Sequence, residues 1–254
     1  LPTLRVAQSR LTGIWPYFFG AAVMTLCLAL VHGEAQSAVS ISMHYNRWAW
    51  AISYIIIPLA VLTPADRPMP KLDGALVGLG MAGLVLIKVT YFVAFAPGVL
   101  LALLARRQIG MVVAALIAGL VVAAIVTLLA GPGFWLAYLG DLQTVSASDI
   151  RPQPGEEFAG VVAAPLYMGA SLTLIATVIF LRQAGRKVEG LAMLALMPGF
   201  FYVAYQNYGN DPQWLYLLAM FAFVLRPTTM VKNGFGWNLR AALTTVGILA
   251  LAFG

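Results

Sequence analysis

The stretch that decides the fold is GALVGLGMAGLVLIKVTYFVAFAPGVLLALLARR, residues 74–107. It is apolar apart from Lys88 near its middle and the Arg106–Arg107 pair at its end. One spanning helix needs about 20 residues, at about 1.5 Å each, to cross roughly 30 Å of hydrocarbon. The run is therefore too long for one crossing and slightly short for two. This length predicts two short helices, over about 74–87 and 89–105, that meet at Lys88 with both far ends on the same side.

The composition is typical of a polytopic helical membrane protein. Of the 254 residues, 61% are hydrophobic and only 9% are charged, whereas a soluble domain carries about 25% charged residues. The net charge of +6 does not indicate a nucleic-acid partner, because the basic residues are scattered over short segments rather than collected on one face. The predicted fold class is therefore all-α, a transmembrane helical bundle in which residues 1–254 form a single integral membrane domain.

Nine hydrophobic segments are predicted, and the charges orient them. They cover about 14–31, 47–63, 74–87, 89–105, 109–130, 160–181, 189–205, 213–225 and 241–253. With the N-terminus in the cytoplasm, all of the 15 basic residues except Arg47, Lys88 and Arg151 fall in inner segments, in keeping with the positive-inside rule. This partition holds only if the stretch 74–107 crosses twice, so it supports the turn at Lys88 independently.

Two local patterns refine this bundle. Within the long outer loop, about 131–160, the run FWLAYLGDL places two aromatic and two leucine residues on one helical face. We expect a short helix there, over about 134–145, lying at the membrane interface. Gly74 and Gly78 form a G-x-x-x-G pattern, whose small residues let helix backbones approach closely in lipid. We expect the glycines to have this structural role.

Unusual polar residues gather on the predicted outer side, around Lys88 and where the second and eighth segments begin. Asp211-Pro212 is typical of an N-cap followed by proline at the first helical position. Helix N-termini favour anions, and an ionisable residue at membrane depth is a functional-site hypothesis by default. This side is therefore predicted to bind an anionic headgroup or phosphate. The candidate binding residues are Lys88, Arg47, His44, Tyr45, Tyr91, Asn207 and Asn210.

Each candidate also has a simpler interpretation. Lys88 alone is equally typical of a lysine whose amine reaches outer headgroups, and Arg47 beside two tryptophans is typical of an interfacial anchor. His44 is typical of a loop histidine, and Asp211 of a helix cap. The two histidines and Glu34 of the first outer loop lack a metal-site spacing, and cofactor or soluble-enzyme motifs are absent. We therefore predict neither a metal nor a cofactor.

The order of features in 74–145 resembles the polytopic GT-C glycosyltransferases, in particular the bacterial branch of polyprenol-phosphate-dependent mannosyl- and arabinofuranosyltransferases. The matching residues are IKVTYF (87–92), Pro97 and Arg106-Arg107, followed by a long span and an outer loop with a short helix. The resemblance implies a lipid-phosphate-linked sugar donor, an active site outside the cytoplasm of a bacterial inner-membrane protein, and Lys88 as a phosphate ligand.

This sequence departs from that family in the position of the catalytic acid. Family members carry an essential Asp or Glu in a long first outer loop, whereas the first outer loop here, 32–46, is short and has Glu34 as its sole acid. Three alternatives follow. The family's first spans precede Leu1, or Glu34 or Asp211 serves as the general base, or the chain is not an active enzyme.

Three functions are consistent with these patterns. The first is a glycosyltransferase acting on a polyprenyl-phosphate sugar, with Glu34 or Asp211 as base. The second is a transporter or flippase of anionic lipid-linked substrates, although the inverted repeat typical of transporters is not visible. The third is a non-catalytic subunit of a larger membrane complex, which the thin outer loops and short spans favour. In all three, membrane lipids are the immediate surroundings.

Overall fold

The computed structural model describes residues 1–28, 41–147, 158–206 and 212–254. In these ranges the regular structure is α-helical, with one isolated bridge between Lys232 and Asn238. Four of the helices (α4, α5, α8 and α9 below) are long and apolar enough to cross a membrane. The helices are α1 (Pro2–Arg10), α2 (Trp15–Cys27), α3 (Ile41–Val61), α4 (Pro70–Ala105), α5 (Ile109–Ala130), α6 (Gly133–Ser146), α7 (Phe158–Ala163), α8 (Pro165–Gln183), α9 (Lys187–Gln206), α10 (Trp214–Leu225) and α11 (Leu239–Phe253).

Helix α4 turns back on itself at Lys88, which confirms the predicted hairpin. Lys88 has φ −157° and ψ 93°, far from helical values, between a first arm (70–87) and a second arm (89–105). A straight α4 of 36 residues would be about 54 Å long. Instead, Asp73 near its start and Arg106 just after its end line one cavity. The two arms therefore lie antiparallel and share one end of the bundle.

Helix α5 packs against the first arm by direct backbone contact. A Cβ atom at Gly74 would overlap the backbone of Met111, and one at Gly78 would overlap the backbone of Ala115. Only glycine leaves room for this approach, which replaces side-chain packing by close backbone packing. The structural role expected for the G-x-x-x-G pattern is confirmed.

An aromatic core joins the second arm to its neighbours. The Trp50 ring of α3 lies 5.3 Å from the Tyr91 ring and 5.6 Å from the Phe95 ring, measured between centroids. Phe95 in turn lies 5.7 Å from Phe200 of α9, which stacks on Trp214 of α10 at 5.4 Å. These rings are buried and dominate the interior, so the second arm is the central element of the bundle.

The bundle has two polar ends. The basic end holds α1, the start of the first arm and the end of the second arm, where Arg106 interacts electrostatically with Glu189 at the start of α9. The Lys88 end holds the break of α4, the first turns of α3, and α6. Asp73 and Lys88 are separated by about 22 Å along the first arm at about 1.5 Å per residue.

Several predicted boundaries need correction, whereas the 109–130 segment agrees with α5. Helix α3 is already helical at Ile41, six residues before the predicted start at 47, so Arg47 lies inside this helix. The segment was predicted from apolar residues, and in α3 these begin only after the polar first turns of the helix. The predicted segment 160–181 is divided between α7 and α8, because Pro165 occupies the first turn of a new helix.

Candidate functional site

The Lys88 amine lies between the break of α4 and the first turns of α3. Nζ donates a hydrogen bond to Oδ1 of Asn46, and it lies 5.1 Å from the centroid of the Tyr45 ring and 5.7 Å from that of Tyr91. The face of an aromatic ring attracts a cation. Asn46 and Tyr91 are buried, whereas Lys88 is half-buried. The structure thus places the amine of a half-buried lysine at the point where the chain reverses.

The other predicted residues of α3 differ in their surroundings. Arg47 follows Asn46 in the same helical turn and is only 8% exposed, unlike a side chain that anchors at a lipid interface. The His44 ring is half-buried and lies 6.2 Å from the ring of Trp48, a largely exposed residue one turn later. Lys88, Tyr45 and Tyr91 therefore lie together, while the described ring contact of His44 is with Trp48.

Four predicted site residues, Glu34, Asn207, Asn210 and Asp211, lie outside the described residues. The predicted cap nevertheless needs correction, because Pro212 precedes α10 rather than opening it. Gln213 is the N-cap, without a side-chain capping bond, and its carbonyl accepts a 2.6 Å hydrogen bond from the Tyr54 hydroxyl. A bond from α3 therefore takes part in fixing this helix end, which sequence spacing alone does not reveal.

An apolar groove runs beside the hairpin. It has a volume of about 430 Å³ and is lined by both arms of α4, by α5 and by Trp135. Near Lys88 its lining includes Val85, Leu86 and Phe92. The Lys88 amine faces Asn46 of α3 instead of this groove. The groove and the amine are therefore adjacent features of the same chain reversal.

Helix α6 adjoins the groove at the Lys88 end. The Tyr138 hydroxyl donates a 2.6 Å hydrogen bond to the carbonyl of Val85, and the Trp135 indole donates one of 2.7 Å to the Thr127 hydroxyl. Burial raises the pKa of Tyr138 above its ordinary value. The predicted helix over 134–145 is confirmed as α6, and two of its aromatic residues attach it to the hairpin and to α5.

The buried ion pairs at the basic end were not predicted from the sequence. Asp73 is fully buried and accepts bonds from Arg5 Nε at 2.6 Å and from Arg10 Nη2 at 2.7 Å. The hydrogen bond to Asp73 raises the pKa of Arg5, whereas burial lowers that of Arg10 despite the same carboxylate. The sequence contains one signal for this acid. Asp73 lies in the first turn of an apolar helix, where the helix dipole favours a negative charge.

No protein-family model, curated protein or solved structure matches this chain. The resemblance to GT-C glycosyltransferases therefore stays a prediction that rests on residues 74–145.

Proposed function

We propose that this chain is a membrane glycosyltransferase that moves a sugar from a polyprenyl-phosphate donor to an acceptor outside the cytoplasm. The observation that carries the proposal is the Lys88 amine, held at the break of α4 by Asn46 and two tyrosine rings. A half-buried lysine at the end of membrane-embedded helices suits the phosphate of an anionic lipid. Arg47, the neighbour of Asn46, brings a second positive charge to this end.

The groove beside the hairpin supports the lipid part of the proposal. Its volume of about 430 Å³ falls within the roughly 300–1,000 Å³ of typical ligand sites. Its walls are almost entirely apolar side chains, which suits an isoprenoid chain. Because Val85 and Leu86 line it near Lys88, a lipid chain in the groove would end near the chain reversal at Lys88.

In the proposed reaction, a carboxylate deprotonates the acceptor hydroxyl, whose oxygen attacks the sugar carbon as its bond to the phosphate breaks. Glu34 and Asp211 are the candidate bases. Negative charge develops on the departing polyprenyl phosphate, and Lys88 with Arg47 stabilises it. Tyr45 and Tyr91 keep the amine in place.

Three further residues belong to the proposed site. His44 supplies a polar group for the phosphate or the sugar, and Asn207 and Asn210, which lie outside the described residues, are proposed to supply two more. Polar, hydrogen-bonding side chains of this kind fix orientation in a mostly apolar site.

The membrane arrangement belongs to the same proposal. Nine crossings with the N-terminus in the cytoplasm put the basic end inside and the Lys88 end outside. Helices α2, α10 and α11 are apolar but shorter than 18 residues, so their crossings require polar flanks or a locally thinned bilayer. The proposed location is the cytoplasmic membrane of a bacterium.

Replacing Lys88 with methionine tests this function. Met keeps the length of the apolar stem but removes the charge, so we expect transfer from a polyprenyl-phosphate sugar to fall by roughly 100-fold or more. The measurement is sugar transfer by the full chain in vesicles, with unfolding in detergent as a check on folding. Lys71→Met, at an exposed lysine of the basic end, is the matched control and should keep full activity. Unaltered sugar transfer by Lys88→Met would reject the proposal that Lys88 stabilises the departing phosphate.

A second function, a non-catalytic subunit of a larger complex, is favoured by the exposure of α5. Met111 is the only fully buried residue of this helix, and Leu120, Leu128 and Leu129 are 68–85% exposed. Lipid or a partner helix covers such a surface in a membrane. A stoichiometric partner that cross-links to α5 in native membranes, together with no transfer activity in the isolated chain, would favour this function over catalysis.

A further inference from the structure

A cavity of about 300 Å³ lies at the basic end, away from Lys88. It is bounded by the first turns of α4 and α5, by the end of α3, and by α1. Its polar lining consists of Arg10, Thr63, Asp73, Arg106 and Gln108, and the remaining walls are proline, leucine and methionine side chains.

Arg10 lines this cavity with hydrogen-bonding capacity to spare. Its side chain is only 1% exposed. Nη2 donates to Asp73 at 2.7 Å and Nη1 donates to the Ser9 hydroxyl at 2.9 Å. The buried Nε has no acceptor in the part of the chain that the structure describes. A buried donor without a partner costs free energy that an additional acceptor would recover.

Arg106 brings a second guanidinium to the same cavity. It is half-buried, and Nη1 donates to the carbonyl of Val61. Among the described residues, no carboxylate lies within 4.0 Å of it. It interacts electrostatically with Glu189, which does not line the cavity and lies 4.0 Å from Arg186.

The charges around the cavity are positive in balance. Arg10 and Arg106 line it with Asp73, and Asp73 is shared with Arg5. Even with Glu189 included, the three guanidiniums exceed the two carboxylates by one positive charge. Buried charge without a counter-charge is costly. The N-termini of α4 and α5, which also border the cavity, add partial positive charge and free N–H donors.

We propose that this cavity binds a phosphate group, with Arg10 and Arg106 as its ligands. Guanidinium is the side chain best suited to phosphate oxygens, because its planar fork donates two parallel bonds. Thr63 and Gln108 provide neutral donors beside it. The phosphate belongs either to a small free anion or to a lipid headgroup. The site is separate from the proposed donor site at Lys88, and does not depend on it.

Binding of radiolabelled orthophosphate to the full chain in neutral detergent tests the proposal. Equilibrium dialysis is done against chloride at constant ionic strength, with unfolding temperature measured in parallel. Arg106→Gln should weaken phosphate binding roughly tenfold or more, because it replaces a charge-assisted hydrogen bond by a neutral one. The control Arg107→Gln removes an adjacent, exposed arginine that does not line the cavity, and should leave binding unchanged.

A second measurement needs no variant. Phenylglyoxal modifies accessible arginines, so bound phosphate should slow modification of Arg106 but not of Arg107. If orthophosphate has no effect while phosphatidylglycerol in mixed micelles raises the unfolding temperature and protects Arg106, the phosphate is a lipid headgroup. If neither orthophosphate nor phosphatidylglycerol protects Arg106, or if the two glutamine variants bind equally, the proposal is overturned.

Discussion

The two ends of α4 hold their cations in different ways. At the basic end, two guanidiniums of α1 meet the buried Asp73 through bonds of 2.6 and 2.7 Å. At the Lys88 end, a half-buried amine contacts an amide oxygen and two ring faces. The first arrangement joins two helices through opposite charges in the interior. The second places a cation on a chain reversal. The difference indicates that the ion pairs of Asp73 stabilise the fold by joining α1 to the first arm, whereas the Lys88 amine, under the function proposed above, serves a ligand.

The largest expected effect is that of Asp73→Asn. The substitution keeps the shape of the side chain but leaves Arg5 and Arg10 facing a neutral amide, which should cost about 3–5 kcal/mol of unfolding free energy. Denaturant unfolding in detergent measures the loss. Asp66→Asn is the control, because Asp66 and Arg67 form an ion pair whose side chains are 72% and 78% exposed. A comparable loss of unfolding free energy in both variants would show that the buried ion pairs of Asp73 stabilise the fold no more than an exposed pair does.

An intermediate effect is expected of Gly78→Ala, in the first arm that links the two ends. The added Cβ would overlap the backbone of Ala115, and the forced separation of α4 from α5 should cost about 1–3 kcal/mol. Gly119→Ala, on the facing side of the same contact, is the control. Its Cβ would meet the carbonyl oxygen of Gly78 at an ordinary 3.9 Å. Equal stability of the two variants would show that the arm and α5 can separate freely.

The smallest expected effect is that of Tyr138→Phe at the Lys88 end. It removes the hydrogen bond to Val85 and should cost about 0.5–1.5 kcal/mol, measured as faster hydrogen exchange of α6. Because burial raises the pKa of Tyr138 from 10.0, the bond's contribution is complete below pH 10 and is lost as pH rises through the folded-state pKa. Tyr17→Phe, at a residue 80% exposed, is the control. Unchanged hydrogen exchange of α6 in Tyr138→Phe would show that other contacts hold this helix in place.

The hairpin of α4 could be predicted because two independent quantities agree on it. The length of the apolar run limits the number of crossings, and the partition of basic residues requires an even number for this stretch. The close contact at Gly74 and Gly78 could also be predicted, since small residues four apart have few other uses in lipid. Each of these features depends on local sequence or on charge counts over the whole chain.

The partners of the charged residues could not be predicted, because they come from distant parts of the chain. Asp73 meets Arg5 and Arg10, 68 and 63 residues away, and Lys88 meets Asn46, 42 residues away. Apolar periodicity carries no information on such pairs. It also placed the start of α3 six residues too late, at 47 instead of Ile41, because a helix continues through polar residues once its interior face is packed.

The backbone contact of Gly78 with Ala115 has a further consequence for the way this chain folds. The two arms of α4 and α5 follow one another directly in sequence, and α5 returns to pack on the first arm, so the contacts within residues 70–130 join segments that are neighbours along the chain. Units of this kind acquire their native contacts quickly. During synthesis this three-segment core can therefore assemble while the C-terminal helices are still being translated, and α9 then docks on a surface that is already in place.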